Sequence, residues 1–282
     1  MNIFTTYLIQ PLANGLVIFY RLLGNNMGLA IIGFSIALAL LIRPFTKKSL
    51  ESMKKMREIQ PQLDKLKKKY KNDRMKLTQA QSELYKQYGV NPGLGGCLPI
   101  ILQLVVFYGL VEVFIQYLSN ASVTKFNTIL YSPLKFDAHE MINTKFLYLD
   151  LTKPDTFNIH GIPFAIPGLF LILAGVSQMI SAKIASPYIE KEEQIAKKTK
   201  GEMDDAMVAM QSSMIYTLPL MTLLVGGRFP SGVAIYWVTF SIYQAFQQYR
   251  TTGLGGLKSW IKALRVIQSG NGNAKGNTKS SK

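Results

Sequence analysis

Five long apolar stretches separated by polar and basic segments constrain this chain more than any other feature. Of its 282 residues, 48% are hydrophobic and only 17% are charged, whereas soluble domains carry about 25% charged residues. A membrane-spanning α-helix needs about 20 predominantly apolar residues. The pattern therefore predicts an all-α polytopic membrane protein with five transmembrane helices, at residues 27–46, 97–118, 162–182, 207–225 and 233–249.

Residues 1–26 precede the first apolar stretch. Apolar residues recur at helical spacing from Phe4 to Leu23, with polar residues between them. A signal peptide is an alternative interpretation, but a basic start and a small-residue cleavage site are missing. We therefore expect residues 1–26 to form an external amphipathic helix that lies in the membrane interface.

Basic residues are distributed unevenly among the connecting segments. Residues 47–88, 183–200 and 250–282 together hold 25 Lys and Arg residues, whereas the N-terminal segment, residues 119–161 and Arg228 hold 6. Because Lys and Arg accumulate in cytoplasmic loops, we expect the N-terminus outside and the C-terminus in the cytoplasm. The segment 119–161 is then external and too small for a separate catalytic domain. The loop 183–206 is cytoplasmic.

The cytoplasmic segment 47–90 is too long for a simple connection. Apolar residues recur there at three- and four-residue spacing on both sides of Asn72 and Asp73, which predicts a hairpin of two helices. Pro61 should kink the first helix or restart it. The basic face of this hairpin and the basic tail 251–282 suit anionic lipid heads or ribosomal RNA, although a simple positive-inside anchor explains part of the charge.

Motifs for catalysis and metal binding are missing from the sequence. It contains no phosphate-binding G-x-x-x-x-G-K-[ST] loop, no H-E-x-x-H and no G-x-S-x-G. The single cysteine, Cys97, excludes an internal disulfide and a multi-cysteine metal cluster, and two histidines are few for zinc or haem. We therefore expect a protein that is not an enzyme and that uses no catalytic residue, metal or cofactor.

Arg43 is the one charged residue within the first predicted span. Counting back from Lys47 at the basic border, it lies about 6 Å deep at 1.5 Å per residue. A charge at that depth is costly unless it snorkels to the interface, pairs or faces water. Glutamines on other spans favour a hydrophilic interior, although hydrogen bonds between helices would also explain them. These glutamines are Gln103, Gln178, Gln244 and Gln247.

Three segments of the chain resemble one known family. LIRPFTKKSLESMKKMREIQPQLDKLKKKYKND (41–73), NPGLGGCLPIILQLVVFYGL (91–110) and FPSGVAIYWVTFSIYQAFQQY (229–249) are similar to segments of the YidC/Oxa/Alb membrane protein insertases. The resemblance extends over nearly the whole chain in order. It implies five spans, a basic cytoplasmic hairpin after the first span, and the short bacterial form, which lacks the large external domain of longer members.

The resemblance also implies a function in the bacterial cell membrane. Members of the family act as insertases and chaperones for newly made membrane proteins, without ATP, through a positively charged hydrophilic groove. Arg43 corresponds to the groove arginine of the family, and Gln178 and Trp237 to other groove positions, with Gln103 and Gln244 added from the polar pattern. The implied substrate contacts in the hairpin are Met53, Met56, Lys65 and Lys69.

The implied partners are nascent membrane proteins, the ribosome through the basic tail, the Sec translocon, the signal recognition particle pathway and anionic lipids. A channel or small-solute transporter is the alternative function, since it too needs a polar path through several spans. Transporters commonly show internal repeats and coupling-ion ligands, whereas this sequence has no repeat and only Glu112 as an acid within a predicted span. A role as an assembly scaffold beside the Sec translocon stays open.

Overall fold

The computed structural model describes residues 3–70, 73–90, 98–118, 123–158, 165–185 and 202–254, together with residues 161, 257 and 261. This part of the chain is mostly helical. The helices are α1 (Gln10–Leu22, after a π-helical turn Thr5–Ile9), α2 (Met27–Lys69), α3 (Arg74–Gln87), α4 (Leu98–Glu112, continued by a π-helix Val113–Leu118), α5 (Val123–Asn127), α6 (Leu169–Ala185), α7 (Glu202–Gly226) and α8 (Ser231–Thr252).

Four short strands lie between α5 and α6 and form two antiparallel hairpins. Strand β1 (Lys145–Phe146) pairs with β2 (Leu149–Asp150), and β3 (Thr156–Phe157) pairs with β4 (Ile166–Pro167). From the sequence we predicted a short cap or an interfacial helix in this segment. Two-residue strands carry too little hydrophobic alternation to be recognised in a sequence.

The long helix α2 joins the predicted first span to the predicted cytoplasmic hairpin. The Asn26 side chain caps its start by accepting a hydrogen bond from the Leu29 N–H at 3.1 Å. The helix continues past residue 46 and through both Pro44 and Pro61, so it does not restart at Pro61. Ile59 and Leu63, on either side of Pro61, are both buried in a cluster with residues of α3 and Val90.

Helix α3 folds back along the second half of α2. Ile59 and Leu63 of α2 form a small buried cluster with Leu84 of α3 and with Val90. The start of α3 is capped by the side chain of Asp73, which accepts a hydrogen bond from the Lys76 N–H at 3.1 Å. A separate apolar cluster therefore holds this helical pair together.

The main apolar core joins α1, α2, α4 and α8. Leu16 of α1, Ala30 of α2, Phe114 of the π-helix after α4 and Tyr236 of α8 are all fully buried in it. One face of α1 thus packs on protein, and its interfacial position in a membrane stays a prediction. Asn14 ties α1 to the external segment, because its amide donates to the Ile129 carbonyl at 3.0 Å and accepts from the Tyr131 N–H at 2.7 Å.

The apolar helices of the described residues fall into two classes by length. Within the described residues, Met27–Ser52 and Ile101–Leu118 are long and apolar enough to cross a membrane, and Leu169–Ile184 and Ile215–Gly226 are shorter apolar helices. The predicted third span begins too early. Its helix starts at Leu169 rather than Ile162, because residues 166–167 pair with β3.

Residues 151–155, here called the outer strap, fasten the starts of α6 and α8. The carboxylate of Asp155 accepts hydrogen bonds from the Tyr148 hydroxyl at 2.9 Å and from the Leu171 N–H at 3.0 Å, which caps α6. Its own backbone carbonyl accepts from Gly168. Carbonyls of the outer strap also accept from the first N–H groups of α8, those of Ser231 at 2.7 Å and Gly232 at 3.2 Å.

Tyr148 is held as a hydrogen-bond donor in this arrangement. Partial burial and the hydrogen bond to the Asp155 carboxylate both raise the pKa of Tyr148. The Gly168 position is also constrained, since a Cβ there would lie 1.7 Å from the Asp155 carboxylate.

We expect Asp155→Ala to lower the free energy of unfolding by about 2–3 kcal/mol, because it leaves the Leu171 N–H and the Tyr148 hydroxyl without their acceptor. Unfolding of the purified protein by SDS in mixed micelles measures this. Asp137→Ala is the control, because that aspartate is exposed in the same external segment. Equal stability of the two variants would contradict a capping role for Asp155.

Candidate functional site

Arg43 lies in an open recess between α2 and α8. Because α2 continues without a break, Arg43, Lys47 and Glu51 follow one another at four-residue spacing and share a helix face. Arg250 reaches the same recess from α8. The recess encloses about 440 Å³ and is lined by Leu40, Arg43, Lys47, Leu50, Glu51, Tyr243, Phe246, Gln247, Arg250 and Thr251.

The charges in this recess are mostly unneutralised. Lys47 and Glu51 form an ion pair of 3.9 Å with both side chains well exposed, which contributes little. The Arg250 guanidinium lies over the Phe246 ring at 5.6 Å. Among the described residues, the Arg43 side chain has no ion pair or hydrogen bond. Three cations and one acid therefore give the recess a positive potential that attracts anions.

Two smaller recesses share lining residues with this one along α8. The three together are here called the polar track. A second recess of about 50 Å³ shares Leu50, Tyr243 and Gln247 with the first. Its lining also includes Ala39, Ile42, Thr46, Phe240, Gln244 and Gln248. A third recess of about 10 Å³ follows, with Thr46 and Gln244 again in its lining. The track thus narrows with depth along one face of α8.

The narrow end of the track contains two buried polar atoms. The Gln103 side-chain oxygen and the Tyr236 hydroxyl both belong to residues that line the third recess. By hydrogen-bond geometry neither atom has a partner among the described residues, but the two side chains lie close enough to interact with each other. Buried polar atoms are costly without a partner, and a space of this size accommodates one water-sized group. The inner end is therefore suited to a small polar group.

Comparison with known proteins places the chain in a family. The family model described as "60Kd inner membrane protein" matches residues 18–254. The chain belongs to this family. The resemblance noted from the sequence motifs is confirmed, because the relatives reported next are also named for membrane protein insertion.

Three relatives illustrate how far the similarity extends. The protein named membrane protein insertase YidC of Pelobacter propionicus is 35% identical over 247 residues, which cover 86% of this chain and 38% of that protein. The protein of the same name from Fusobacterium nucleatum is 30% identical over 225 residues, covering 80% and 85%. That of Methylobacterium radiotolerans is 30% identical over 286 residues, covering 97% and 40%. This family member thus spans well under half of two of these relatives and most of the third.

The predicted groove residues of this family member fall into two groups. Arg43, Gln103 and Gln244 line the connected recesses. Gln178 lies between α6 and α7, where its side-chain oxygen accepts a hydrogen bond from the Thr222 hydroxyl at 2.8 Å. Trp237 stacks on Phe107 with ring centroids 4.8 Å apart. Neither Gln178 nor Trp237 is among the residues that line the three recesses.

The predicted contacts in the hairpin all lie on α2. Lys65 and Lys69 are exposed there, and the Lys69 ammonium lies 5.2 Å from the ring centroid of Tyr70. Met53 and Met56 are in the helix, but their side chains lie outside the described part of the structure. Most of the basic tail also lies outside the described residues.

Tyr236 and Arg250 belong to the site but were missed from the sequence. Tyr236 lies within the predicted span 233–249 and Arg250 directly after it, and neither was singled out from the sequence. A helical signal was available, because Tyr236, Phe240 and Gln244 follow at four-residue spacing and Arg250 lies three residues after Gln247. Extending the face of Gln244 along α8 in both directions would have found both residues.

We expect Tyr236→Phe to change the free energy of unfolding by less than about 0.5 kcal/mol, because the hydroxyl that it removes makes no hydrogen bond of good geometry among the described residues. Tyr20→Phe is the matched control, since the buried Tyr20 hydroxyl accepts from the Asn143 N–H at 2.9 Å. That variant should lose about 1–2 kcal/mol. Unfolding in mixed micelles measures both, and a larger loss for Tyr236→Phe would show that its hydroxyl has a protein partner.

Proposed function

We propose that this chain is a membrane protein insertase and chaperone, which moves polar ends of newly made membrane proteins into the bilayer without ATP or covalent chemistry. The observation that carries the proposal is the polar track between α2 and α8, which narrows from its largest, positively charged recess. Membership of the 60Kd inner membrane protein family and the names of its relatives support it.

The recess would lower the cost of bringing a polar terminus into the membrane. A charged side chain at the centre of the bilayer costs at least about 2.5–3.5 kcal/mol, so a carboxylate needs a cation or water on its way. Arg43, Lys47 and Arg250 offer that attraction at the entrance, and Gln247 and Gln244 offer hydrogen bonds further in. Transfer of the following apolar segment into lipid, at about 25 cal/mol per Å², then drives insertion.

The shape of the track favours an insertase over a channel or small-solute transporter. A channel needs a continuous polar path, whereas this track narrows to about 10 Å³ beside Gln103 and Tyr236. On the opposite side, the outer strap fastens the starts of α6 and α8 with backbone hydrogen bonds. A polar terminus entering the recess would therefore remain partway across until its apolar segment moves into lipid.

In the proposed topology, α2, α4, α6, α7 and α8 cross the bacterial cell membrane as five spans. The N-terminus and the outer strap lie outside, and the α2–α3 hairpin and the basic tail lie in the cytoplasm. The charge distribution supports this orientation. The ribosome, the Sec translocon, the signal recognition particle pathway and anionic lipids are the proposed partners on the cytoplasmic side.

The remaining predicted residues have proposed roles in this scheme. The hairpin would contact a substrate before it reaches the groove, through Met53, Met56, Lys65 and Lys69. Gln178 and Trp237 stay proposed groove residues. Trp237 lies on α8, and α8 lines the polar track. Gln178 lies on α6, which packs extensively against α8.

Arg43→Ala should slow insertion of a substrate with an acidic terminus by about tenfold, which corresponds to the loss of about 1.4 kcal/mol of charge attraction. Arg43→Lys should restore most of the rate, because the attraction depends on charge. Insertion of a small single-span protein into liposomes that contain the purified protein measures this.

Arg228→Ala is the matched control for this experiment, since Arg228 is exposed beyond the end of α7 and lies outside the recess. A substrate with a neutral terminus should be inserted equally by all variants. Normal insertion of the acidic substrate by Arg43→Ala would remove Arg43 from the mechanism. Solute flux through the same vesicles would instead support the channel alternative.

The orientation can be tested separately with Lys54→Cys and Lys135→Cys, each in a Cys97→Ser background. Both lysines are exposed, Lys54 on α2 and Lys135 in the segment between α5 and β1. A membrane-impermeant maleimide added to intact spheroplasts should label only the variant at 135, because that segment faces outward in the proposed topology. Labelling of the variant at 54 alone would reverse the orientation.

A further inference from the structure

The helix α6 is short for a membrane span. The apolar part of α6 that the structure describes, Leu169–Ile184, rises about 22 Å at 1.5 Å per residue. The hydrocarbon core of a bilayer is about 30 Å thick. If Ile184 lies at the cytoplasmic border of this span, Leu169 lies below the outer edge of the hydrocarbon. Other apolar groups must then face lipid at the outer end of α6.

The turn between β1 and β2 is unusual in both conformation and exposure. Leu147 has a φ of +52°, a left-handed conformation that hairpin turns normally reserve for Gly, Asn or Asp. Its side chain is nevertheless apolar, and the residue is 78% exposed. A leucine suits neither the backbone conformation nor contact with water. An outlier of this kind suggests a function at the turn.

Hydrogen bonds hold this turn beside the first residue of α6. The hydroxyl of Tyr148, the next residue of the turn, accepts from the Leu169 N–H at 3.1 Å and donates to the Asp155 carboxylate at 2.9 Å. The turn is therefore at the level where the span begins. It cannot move outward without breaking the cap of α6.

Aromatic rings extend an apolar surface from the turn to α6. The Tyr148 ring stacks on Phe157, with centroids 6.2 Å apart, and lies 6.0 Å from the Phe170 ring. Tyr148 and Phe157 are about half exposed. On α6 itself, exposed apolar side chains continue below them at Leu169, Ile172, Leu173 and Val176.

The hairpin is also anchored on its inner side. Phe146 of β1 packs so closely on α2 that a Cβ at Gly28 would lie 2.1 Å from its ring. Its ring centroid is 6.2 Å from that of Phe170. The exposed turn is therefore the outer part of a fixed hairpin.

We propose that Leu147, Tyr148 and Phe157 form a lipid anchor, whose apolar side chains insert among the acyl chains of the outer leaflet of the cell membrane. The anchor supplies the apolar surface at the outer end of the span, where α6 is too short to reach the edge of the hydrocarbon. Lipid is the occupant because the surface is continuous with the lipid-facing residues of α6, and aromatic side chains favour the membrane interface. The exposed Lys145 in the same hairpin is placed to reach lipid phosphates. The inference rests on the proposed five-span topology.

Fluorescence quenching in vesicles of phosphatidylcholine and phosphatidylglycerol tests the anchor. The apolar probe NBD is attached to single cysteines in the full chain with Cys97→Ser. The sites are Leu147→Cys in the turn, Ile172→Cys on α6 and Met141→Cys, which is exposed elsewhere in the external segment. Lipids carrying a shallow spin label should quench the probe at 147, and aqueous iodide should quench the probe at 141.

The probe at 172 separates this inference from the proposed topology. If iodide does not reach the probe at 172 but quenches the probe at 147 as strongly as the probe at 141, α6 is a membrane span and the proposed anchor is wrong. If 172 is also quenched by iodide, α6 is not a span and the premise of the anchor fails. Insertion activity is measured independently and does not decide either outcome.

A second measurement uses Leu147→Asn and hydrogen exchange of the full chain in lipid nanodiscs. Transfer of one leucine side chain into lipid favours the embedded turn by about tenfold, so backbone exchange over 145–150 should rise by about that factor in the variant. Met141→Asn is the control and should leave exchange there unchanged. If the turn has only a local role, hydrogen exchange should instead become slower in Leu147→Asn, because Asn fits a left-handed conformation better than Leu. Slower exchange in Leu147→Asn would overturn the proposal.

Discussion

The cost of placing a charge in hydrocarbon constrains the part of this molecule around Arg43. Arg43 lies before the basic border of α2, where a guanidinium needs water or a partner. The structure meets this need by opposing the Arg43 face of α2 with the most polar face of α8, which carries Gln244, Gln247 and Arg250. Each polar face would be costly against lipid, and together they enclose a recess. The proposed function follows from this single juxtaposition.

The polar groups at the two ends of the helices have different surroundings. At the outer end, the orphan N–H groups of α6 and α8 are satisfied by Asp155 and by carbonyls of the outer strap, which leaves the helix starts fastened to each other. At the other end, polar side chains of α2 and α8 line recesses that become smaller towards Gln103 and Tyr236. Recesses of decreasing size suit partial entry of a polar segment and do not suit a pore.

Much of the helical organisation could be predicted from periodicity. The start of α2 at Met27 and the extent of α8 agree closely with the apolar stretches, since a helix of that length needs only local backbone hydrogen bonds. The start of α6 could not be predicted, because the residues before Leu169 pair with β3 and are fixed by Asp155, contacts that no local pattern encodes.

The sequence by itself determined which segments are apolar, where positive charge gathers, that Arg43 is out of place in a span, and which family the chain resembles. Only the tertiary structure decided which polar residues share a recess. Arg43 and Gln247 share the largest recess, and Gln247 and Gln244 share the next one, whereas Gln178 bonds to Thr222 and Trp237 stacks on Phe107. The reason is rotation about the helix axis: spacing fixes which residues share a face of one helix, but only packing against neighbours fixes what that face meets.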